Sequence, residues 1–189
     1  AGDTPPGGAE SALPRRCRQN CQRTLKVNKQ VLPSLAAAAV VVAGVWLMSS
    51  STRPMPEVVF NLLDGRTLHS ADLRGKSVLI NFWSVSCEVC LRDMPRLTRL
   101  HETMEEHGFM VIGVAVPHDP PAAVIGVVEK LEPAYPIALD VHGEVSKAFG
   151  GIKVTPTTYL VGPDGNINYS ERGTLDETRI RATVLTFQR

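Results

Sequence analysis

A short apolar run is followed closely by two cysteines, and this stretch restricts the possible fold of the chain more than any other part of the sequence. Residues 78–83 are almost all apolar, and Ser84 leads from them towards a Cys-x-x-Cys pair at Cys87 and Cys90. The pattern predicts a buried strand that runs into a helix, with both thiols in the first turn of that helix. Free N–H groups and the helix dipole at that end would stabilise a thiolate at Cys87.

The cysteine pair is compatible with two kinds of chemistry. A disulfide between positions i and i+3 closes a very small loop, so it adds little stability and suits a reversible redox bond. The same spacing occurs in zinc sites, but zinc needs two further ligands at matching spacing. The other two cysteines, Cys17 and Cys21, lie across a predicted membrane segment. The spacing therefore favours redox chemistry, with no metal and no organic cofactor.

The first 56 residues divide into three parts. The first part of residues 1–30 is rich in Gly, Pro and Ala, and the second part contains six Arg or Lys residues with no Asp or Glu among them. This composition predicts a disordered basic tail. Residues 31–48 are 18 uncharged residues, close to the minimum for a bilayer-spanning helix. Residues 49–56, with three Ser and two Pro, predict a short tether.

Three interpretations of residues 31–48 remain open. A signal anchor fits the length, and the positive-inside rule would keep the basic tail in the cytoplasm. A cleaved signal peptide needs a small-x-small site, of which the three serines at 49–51 are a poor version. A buried core helix is disfavoured because no polar face interrupts the run. With an anchor, Cys17 and Cys21 would be reduced cytoplasmic thiols, either incidental or used for metal binding or lipidation.

From Glu57 onward the pattern predicts a compact α/β domain. Strands are expected at 58–62, 78–82, 109–116, 137–139, 157–161 and 167–170. Helices are expected after Cys87 to about residue 107, from the prolines at 120–121 to about residue 131, at 144–149, and after a capping box of Thr174 and Glu177. Since a turn at 163–165 makes the last two strands antiparallel, we expect a mixed sheet with helices on both faces.

A set of motifs in a fixed order makes residues 57–187 resemble the thioredoxin fold, and within it the membrane-anchored thiol–disulfide oxidoreductases of the TlpA, ResA and DsbE type. The motifs are Asp64-Gly65, Leu73-Arg74-Gly75-Lys76, Asn81-Phe82-Trp83 before the cysteines, Pro95, Val154-Thr155-Pro156-Thr157-Thr158, and Gly162-Pro163-Asp164-Gly165. The resemblance implies a thioredoxin-like domain at 57–189 on the periplasmic side of a bacterial inner membrane, crossed once. It also implies protein disulfides as substrates, with apocytochrome c as one candidate, and electrons from a membrane thiol transporter.

The resemblance assigns roles to residues outside the cysteine pair. The Thr155–Pro156 peptide bond is expected to be cis, and Thr155 would offer main-chain hydrogen bonds to an extended substrate. Plain thioredoxins carry a buried acid where this chain has Asn81, which cannot titrate. Asp93, three residues after Cys90, is instead the candidate proton carrier because it shares a helix face with that cysteine. The alternative for Asp93 is a solvated residue in the second helical turn.

Three residues beside the cysteines depart from the family pattern. Ser86 stands where relatives usually carry Trp, and Val89 stands where they usually carry Pro. Glu88 suits the positive end of the helix dipole but opposes a neighbouring thiolate. We treat these three as candidate determinants of the redox potential, with the direction of their effect left open.

Rival functions differ in what they require of the same stretch. The resemblance implies that the cysteine pair reduces disulfides of exported proteins. A disulfide-donating oxidase would use the same pair in the opposite direction. A thiol peroxidase would need a hydroxyl three residues before the first cysteine and a proline four residues before that, and here Ser84 and Ile80 occupy those positions. A Cu(I)-binding module would use the two cysteines as soft ligands.

Two further classes of ligand are disfavoured by composition and spacing. A formal net charge of +1, without a long basic run in the domain, does not suggest nucleic acid. The five histidines sit at no ligand spacing and are expected at the surface: His69, His101, His107, His118 and His142.

The topology leads to a test. A reporter that is active only after export, fused behind Arg189, should be active in intact bacteria because the basic flank holds residues 1–30 in the cytoplasm. The measurement is reporter activity against a matched reporter that is active only in the cytoplasm. Activity of the cytoplasmic reporter alone would contradict the predicted orientation.

Overall fold

The computed structural model describes residues 53–188. The predicted basic tail, membrane segment and first part of the tether, residues 1–52, lie outside the described residues. Within residues 53–188, no helix combines the length and the apolar character needed to span a bilayer.

The described residues form eight strands and four α-helices. The strands are β1 (Arg53–Pro54), β2 (Val59–Asn61), β3 (Thr67–His69), β4 (Ser77–Trp83), β5 (Phe109–Ala115), β6 (Ile137–Leu139), β7 (Thr157–Val161) and β8 (Asn166–Arg172). The helices are α1 (Glu88–Met104), α2 (Pro121–Leu131), α3 (Glu144–Ala148) and α4 (Glu177–Thr186). Short 3-10 turns occupy Ser70–Leu73 and Glu105–His107.

Six strands form one mixed sheet in the order β1-β8-β7-β4-β5-β6. Strand β4 is parallel to β5, and β5 is parallel to β6, whereas β7 is antiparallel to both β4 and β8. The predicted mixed sheet is confirmed.

Strands β2 and β3 form a separate hairpin whose turn is stabilised by Asp64, since its carboxylate accepts the Arg66 N–H at 3.0 Å. Hydrogen bonds from Arg66 lower the pKa of that carboxyl.

Strand β4 lies at the centre of the sheet, and all seven of its residues are buried. Leu79 and Trp83 face a cluster that includes residues of α1, α2 and α4. Alternate residues, such as Ile80 and Phe82, face a second cluster formed with the hairpin and α3. Because helices cover both faces, an apolar strand without polar alternation is stable at this position.

Helix α1 follows the predicted amphipathic pattern. Its apolar stripe is buried, and it comprises Met94, Leu97, Leu100 and Met104. The chain leaves the helix through a turn that ends at Gly108, whose φ of 64° is left-handed and favours glycine. Pro95 is exposed on the opposite side of the helix.

Strand register brings distant parts of the sequence to one edge of the sheet. Trp83 at the end of β4 pairs with Ala115 at the end of β5, and Phe82 pairs with Thr157 at the start of β7. The cysteine motif, the loop after β5 and the loop before β7 therefore leave the sheet at the same edge.

The segment predicted as a tether takes part in the fold. Arg53 and Pro54 form edge strand β1, which pairs with Ile167 and Asn166 of β8. Met55 continues this contact, since its N–H donates to the Gly165 carbonyl at 2.9 Å and its side chain packs on the second core cluster. The folded part therefore begins before Glu57, because an open edge of β8 accepts these residues.

The predicted capping box of Thr174 and Glu177 does not form. Helix α4 begins two residues later than predicted, with Asp176 at the N-cap, where its carboxylate accepts the Arg179 N–H at 3.0 Å. Leu175 is buried with 5% of its surface exposed, so the chain is still entering the core at that point. Tertiary burial thus decides between two local capping patterns.

The N-cap assignment predicts a difference between two variants. Asp176→Ala should lower the free energy of unfolding by ~1 kcal/mol, because the Arg179 N–H loses its acceptor. Thr174→Ala, at an exposed position, should change it by less than ~0.5 kcal/mol. Urea unfolding of both variants measures this, and an equal loss in the two would contradict the assignment.

Candidate active site

The two cysteines of the motif form a disulfide at the N-terminus of α1. Their Cα atoms are 5.3 Å apart. Cys87 is the N-cap residue, and its sulfur accepts the Cys90 N–H at 3.2 Å. Cys87 is half-buried, whereas Cys90 is only 2% exposed. A substrate sulfur can therefore approach Cys87 from solvent, while Cys90 is reached through Cys87.

The three residues that depart from the family pattern surround this disulfide. Ser86 and Glu88 are exposed, and Val89 is half-buried. Glu88 lies in the first turn of α1, next to the positive end of the helix dipole. Ser86 directs its hydroxyl towards Ser84, with the two oxygens 3.0 Å apart. Their effect on the redox potential stays a prediction.

The loop before β7 contains the predicted cis peptide bond, between Thr155 and Pro156. Thr155 is half-buried and Pro156 is buried. The Pro156 carbonyl accepts the Gly173 N–H at 2.8 Å, which ties the loop to the end of β8. The Thr157 hydroxyl donates to the Val154 carbonyl at 2.6 Å. The loop is thus held on both sides at the edge of the sheet where the cysteine motif begins.

Asp93 is buried rather than solvated, with 4% of its surface exposed. One carboxylate oxygen pairs with the Arg96 guanidinium at 3.0 Å, and the other lies 3.5 Å from the Leu175 N–H. The alternative of a solvated surface residue is therefore wrong. Asp93 and Cys90 lie three residues apart on α1 and are both buried, which is the arrangement that the predicted proton-carrier role requires.

Asn81 occupies the interior position expected from the sequence. It is 6% exposed, and its amide donates to the Thr158 hydroxyl of β7 at 3.0 Å. This bond satisfies a buried amide without an ionisable group.

Asp119 belongs to none of the sequence motifs, yet it holds the loop before the cysteines. Its two carboxylate oxygens accept the Ser84 hydroxyl and the Val85 N–H, each at 2.8 Å. The residue is 9% exposed and follows the carboxyl end of β5. One sequence feature could have indicated this role. Asp119 follows a buried strand that is parallel to β4, and loops at the carboxyl edge of parallel strands lie close together.

The histidines are distributed as predicted, with one exception. His101 is half-buried on α1, and its Nδ1 accepts the Val111 N–H of β5 at 3.2 Å. It also packs edge-on against Tyr135, whose burial raises the pKa of the phenol well above its ordinary value. Among residues 53–188, no group of three or more His, Cys, Asp or Glu side chains is arranged to hold a metal ion.

Comparison with known proteins assigns the family. A sequence model of the AhpC/TSA family matches residues 52–170, well over half of the chain. The chain belongs to the AhpC/TSA family. It is similar to the thiol–disulfide oxidoreductase ResA of Geobacillus thermodenitrificans, with 31% identity over 126 residues that cover 67% of this chain and 71% of that protein. ResA of Bacillus subtilis is 28% identical over 125 residues, which cover 66% and 69% of the two chains.

Solved structures agree with this assignment. A protein from Neisseria meningitidis, described as a thioredoxin, has a TM-score of 0.66 and 32% identity over 71% of this chain and 89% of its own. A thioredoxin-family thiol:disulfide interchange protein from Chlorobium tepidum has a TM-score of 0.65 and 26% identity over 72% of this chain and 98% of its own. The described domain is therefore thioredoxin-like, and the protein is a thiol–disulfide oxidoreductase.

The burial of Asp93 leads to a kinetic test of the proton-carrier role. Asp93→Asn should slow disulfide reduction on the order of 100-fold and change the pH–rate profile, because an amide cannot move a proton to Cys90. The control is Arg96→Gln, which removes the ion-pair partner but keeps the carboxylate. A pH–rate profile of Asp93→Asn that matches the wild type would exclude the role.

Proposed function

We propose that this protein is a membrane-tethered periplasmic reductase that reduces disulfides of exported proteins, with apocytochrome c as one candidate substrate. The observation that carries the proposal is the unequal exposure of a redox-active disulfide at a helix N-terminus. Cys87 is half-buried and Cys90 is 2% exposed. This arrangement suits a pair in which one sulfur meets the substrate and the other completes the reaction.

The reaction balances as two thiol–disulfide exchanges. The Cys87 thiolate attacks one sulfur of a substrate disulfide, which forms a Cys87–substrate bond and releases the other substrate sulfur as a thiolate. The Cys90 thiolate then attacks the Cys87 sulfur, closes the Cys87–Cys90 disulfide and releases the second substrate sulfur. The substrate gains two electrons and two protons, and the enzyme is oxidised by two electrons. A membrane thiol transporter would return those electrons to the pair.

Other residues would assist these two steps. The main chain of Thr155, in the loop tied to Gly173, would pair with an extended substrate segment as an added strand does. Asp93 would accept the Cys90 proton before the second attack. The first N–H groups of α1 favour the thiolate of Cys87, since they carry the positive end of the helix dipole.

The tether and the compartment are proposals from the sequence. Residues 31–48 would anchor the domain to the inner membrane, with the domain in the periplasm and residues 1–30 in the cytoplasm. In that oxidising compartment a reductase needs a dedicated electron supply, which a membrane partner would provide.

A thiol peroxidase receives less support from the site than a reductase does. The Ser84 hydroxyl, which a thiol peroxidase would need, donates to Asp119 at 2.8 Å. Ile80, at the position that would require proline, is fully buried in β4 and pairs with Tyr159. Disulfide donation uses the same atoms in the opposite direction, so the redox potential distinguishes it from reduction.

The direction of the reaction is tested by the midpoint potential of the Cys87–Cys90 pair in the full-length protein, equilibrated with glutathione or dithiothreitol buffers. We expect a value near that of thioredoxin, about −270 mV. A reductase must have a more negative potential than the substrate disulfides to which it passes electrons. A value near −120 mV, as in strong oxidants, would contradict the reductase and indicate disulfide donation. Absence of a reversible pair, together with stoichiometric Cu(I) binding, would indicate a metal-binding module.

The order of the two attacks is tested by trapping. Cys90→Ser should accumulate a mixed disulfide with the substrate, because nothing resolves the Cys87–substrate bond. Cys87→Ser should abolish turnover without such an adduct. Non-reducing electrophoresis and mass spectrometry with a disulfide-bonded protein substrate measure both, and an adduct that forms only with Cys87→Ser would reverse the assignment.

A further inference from the structure

We infer that Asp119 is a positioning residue for the redox pair and that it acts through the loop that precedes Cys87. Asp119 lies in the loop after β5, next to the end of β4 where the cysteine motif begins. Its side chain is only 4% exposed. A buried carboxylate is stable only with hydrogen-bond partners, so the identity of those partners indicates what the residue does.

The partners of Asp119 come from one short loop. Ser84 donates its hydroxyl to Oδ1 and Val85 donates its N–H to Oδ2, both at 2.8 Å. In the described part of the chain, the nearest basic group is His118, whose Nε2 is 4.0 Å from Oδ1 and whose side chain is 69% exposed. The Asp119 carboxylate and the loop that contains Ser84 and Val85 therefore stabilise each other's position.

Ser84 carries the constraint from Asp119 to Cys87. A serine has one hydroxyl proton, and Ser84 gives it to Asp119, so Ser86 must be the donor in the 3.0 Å contact between the two serine oxygens. The Ser86 N–H also lies 3.3 Å from the Ser84 hydroxyl oxygen. The Ser84 carbonyl accepts the Cys87 N–H at 3.1 Å. Two successive residues before α1, including the nucleophile candidate, are thus oriented by Ser84.

This chain of contacts has a consequence for the redox equilibrium. Closure of the disulfide depends on the effective concentration of one sulfur at the other, which rises when the loop that carries Cys87 is held in one conformation. Loosening the loop should disfavour closure and make the disulfide easier to reduce. Asp119 is therefore expected to make the pair more reducing.

The negative charge of Asp119 offers a second explanation that can be separated from positioning. Removal of the charge would stabilise a nearby thiolate and also favour the reduced form. Ser84→Ala separates the two, because it removes the hydroxyl through which Asp119 orients Ser86 and keeps the carboxylate, together with its contact to the Val85 N–H. Positioning predicts a shift towards the reduced form in Ser84→Ala, whereas a pure charge effect predicts no such shift.

Asp140 supplies a matched control. It is a second buried aspartate after a parallel strand, 5% exposed, and it accepts the Val145 and Ser146 N–H groups at 3.0 and 2.7 Å. Its partners belong to α3 rather than to the cysteine loop. Asp140→Asn should therefore disturb a buried carboxylate of the same kind without reaching Cys87.

The experiment compares full-length wild type, Asp119→Asn, Ser84→Ala and Asp140→Asn by equilibration with glutathione buffers. Asp119→Asn should lower the equilibrium constant for disulfide closure ~10-fold, which corresponds to about 30 mV towards a less negative potential. Ser84→Ala should shift it several-fold in the same direction, and Asp140→Asn should stay within about twofold of wild type. Thermal unfolding of each variant in both redox states checks that it is folded.

The outcomes separate this inference from the proposed function on which it rests. A reversible wild-type pair with an unshifted Ser84→Ala, or equal shifts in Asp119→Asn and Asp140→Asn, would overturn the positioning role and leave the reductase intact. A wild-type chain without a reversible pair would overturn the proposed function and the inference together. If Asp119→Asn does not fold, Ser84→Ala decides the question alone.

Discussion

Strand β4 is buried between two neighbouring strands, and its position sets where helix α1 and both cysteines begin. All seven residues of β4 are buried, and its neighbours β5 and β7 pair with it along almost its whole length. A strand enclosed in this way has little freedom of position, because its hydrogen bonds and both of its faces are used. The point at which the chain leaves β4 is therefore fixed, and helix α1 with its two cysteines begins there.

The edge of the sheet that carries the cysteines is built from loops that are far apart in sequence. The loop after β5 supplies Asp119, which binds Ser84 and Val85, and the loop before β7 supplies the cis Thr155–Pro156 bond. Both loops start from strands that are paired directly with β4, so their positions follow from the register of the sheet. The Cys87–Cys90 disulfide is thus placed at an edge of the sheet where strand pairing fixes the starting points of the neighbouring loops.

Two positions that depart from the expected family pattern, Ser86 and Asn81, both form side-chain hydrogen bonds. Where the family resemblance leads us to expect a Trp, Ser86 takes part in a hydrogen-bonded turn with Ser84, whose hydroxyl binds the buried carboxylate of Asp119. The same position thus contributes polar order instead of an apolar cover. Asn81 presents an amide that is satisfied by Thr158 and cannot titrate, so the buried Asp93 of α1 is the candidate proton carrier.

Local apolar patterns and turn residues are enough to predict the strand–Cys-x-x-Cys–helix unit, most strand and helix positions and the mixed sheet. Three other features depend on contacts between distant parts of the chain. Asp176 rather than Thr174 caps α4 because burial of Leu175 delays the helix; Arg53 joins the sheet because β8 leaves an open edge; and Asp119 reaches Ser84 across 35 positions of the chain. Such contacts depend on which elements become neighbours, and the spacing of residues along one chain does not carry that information.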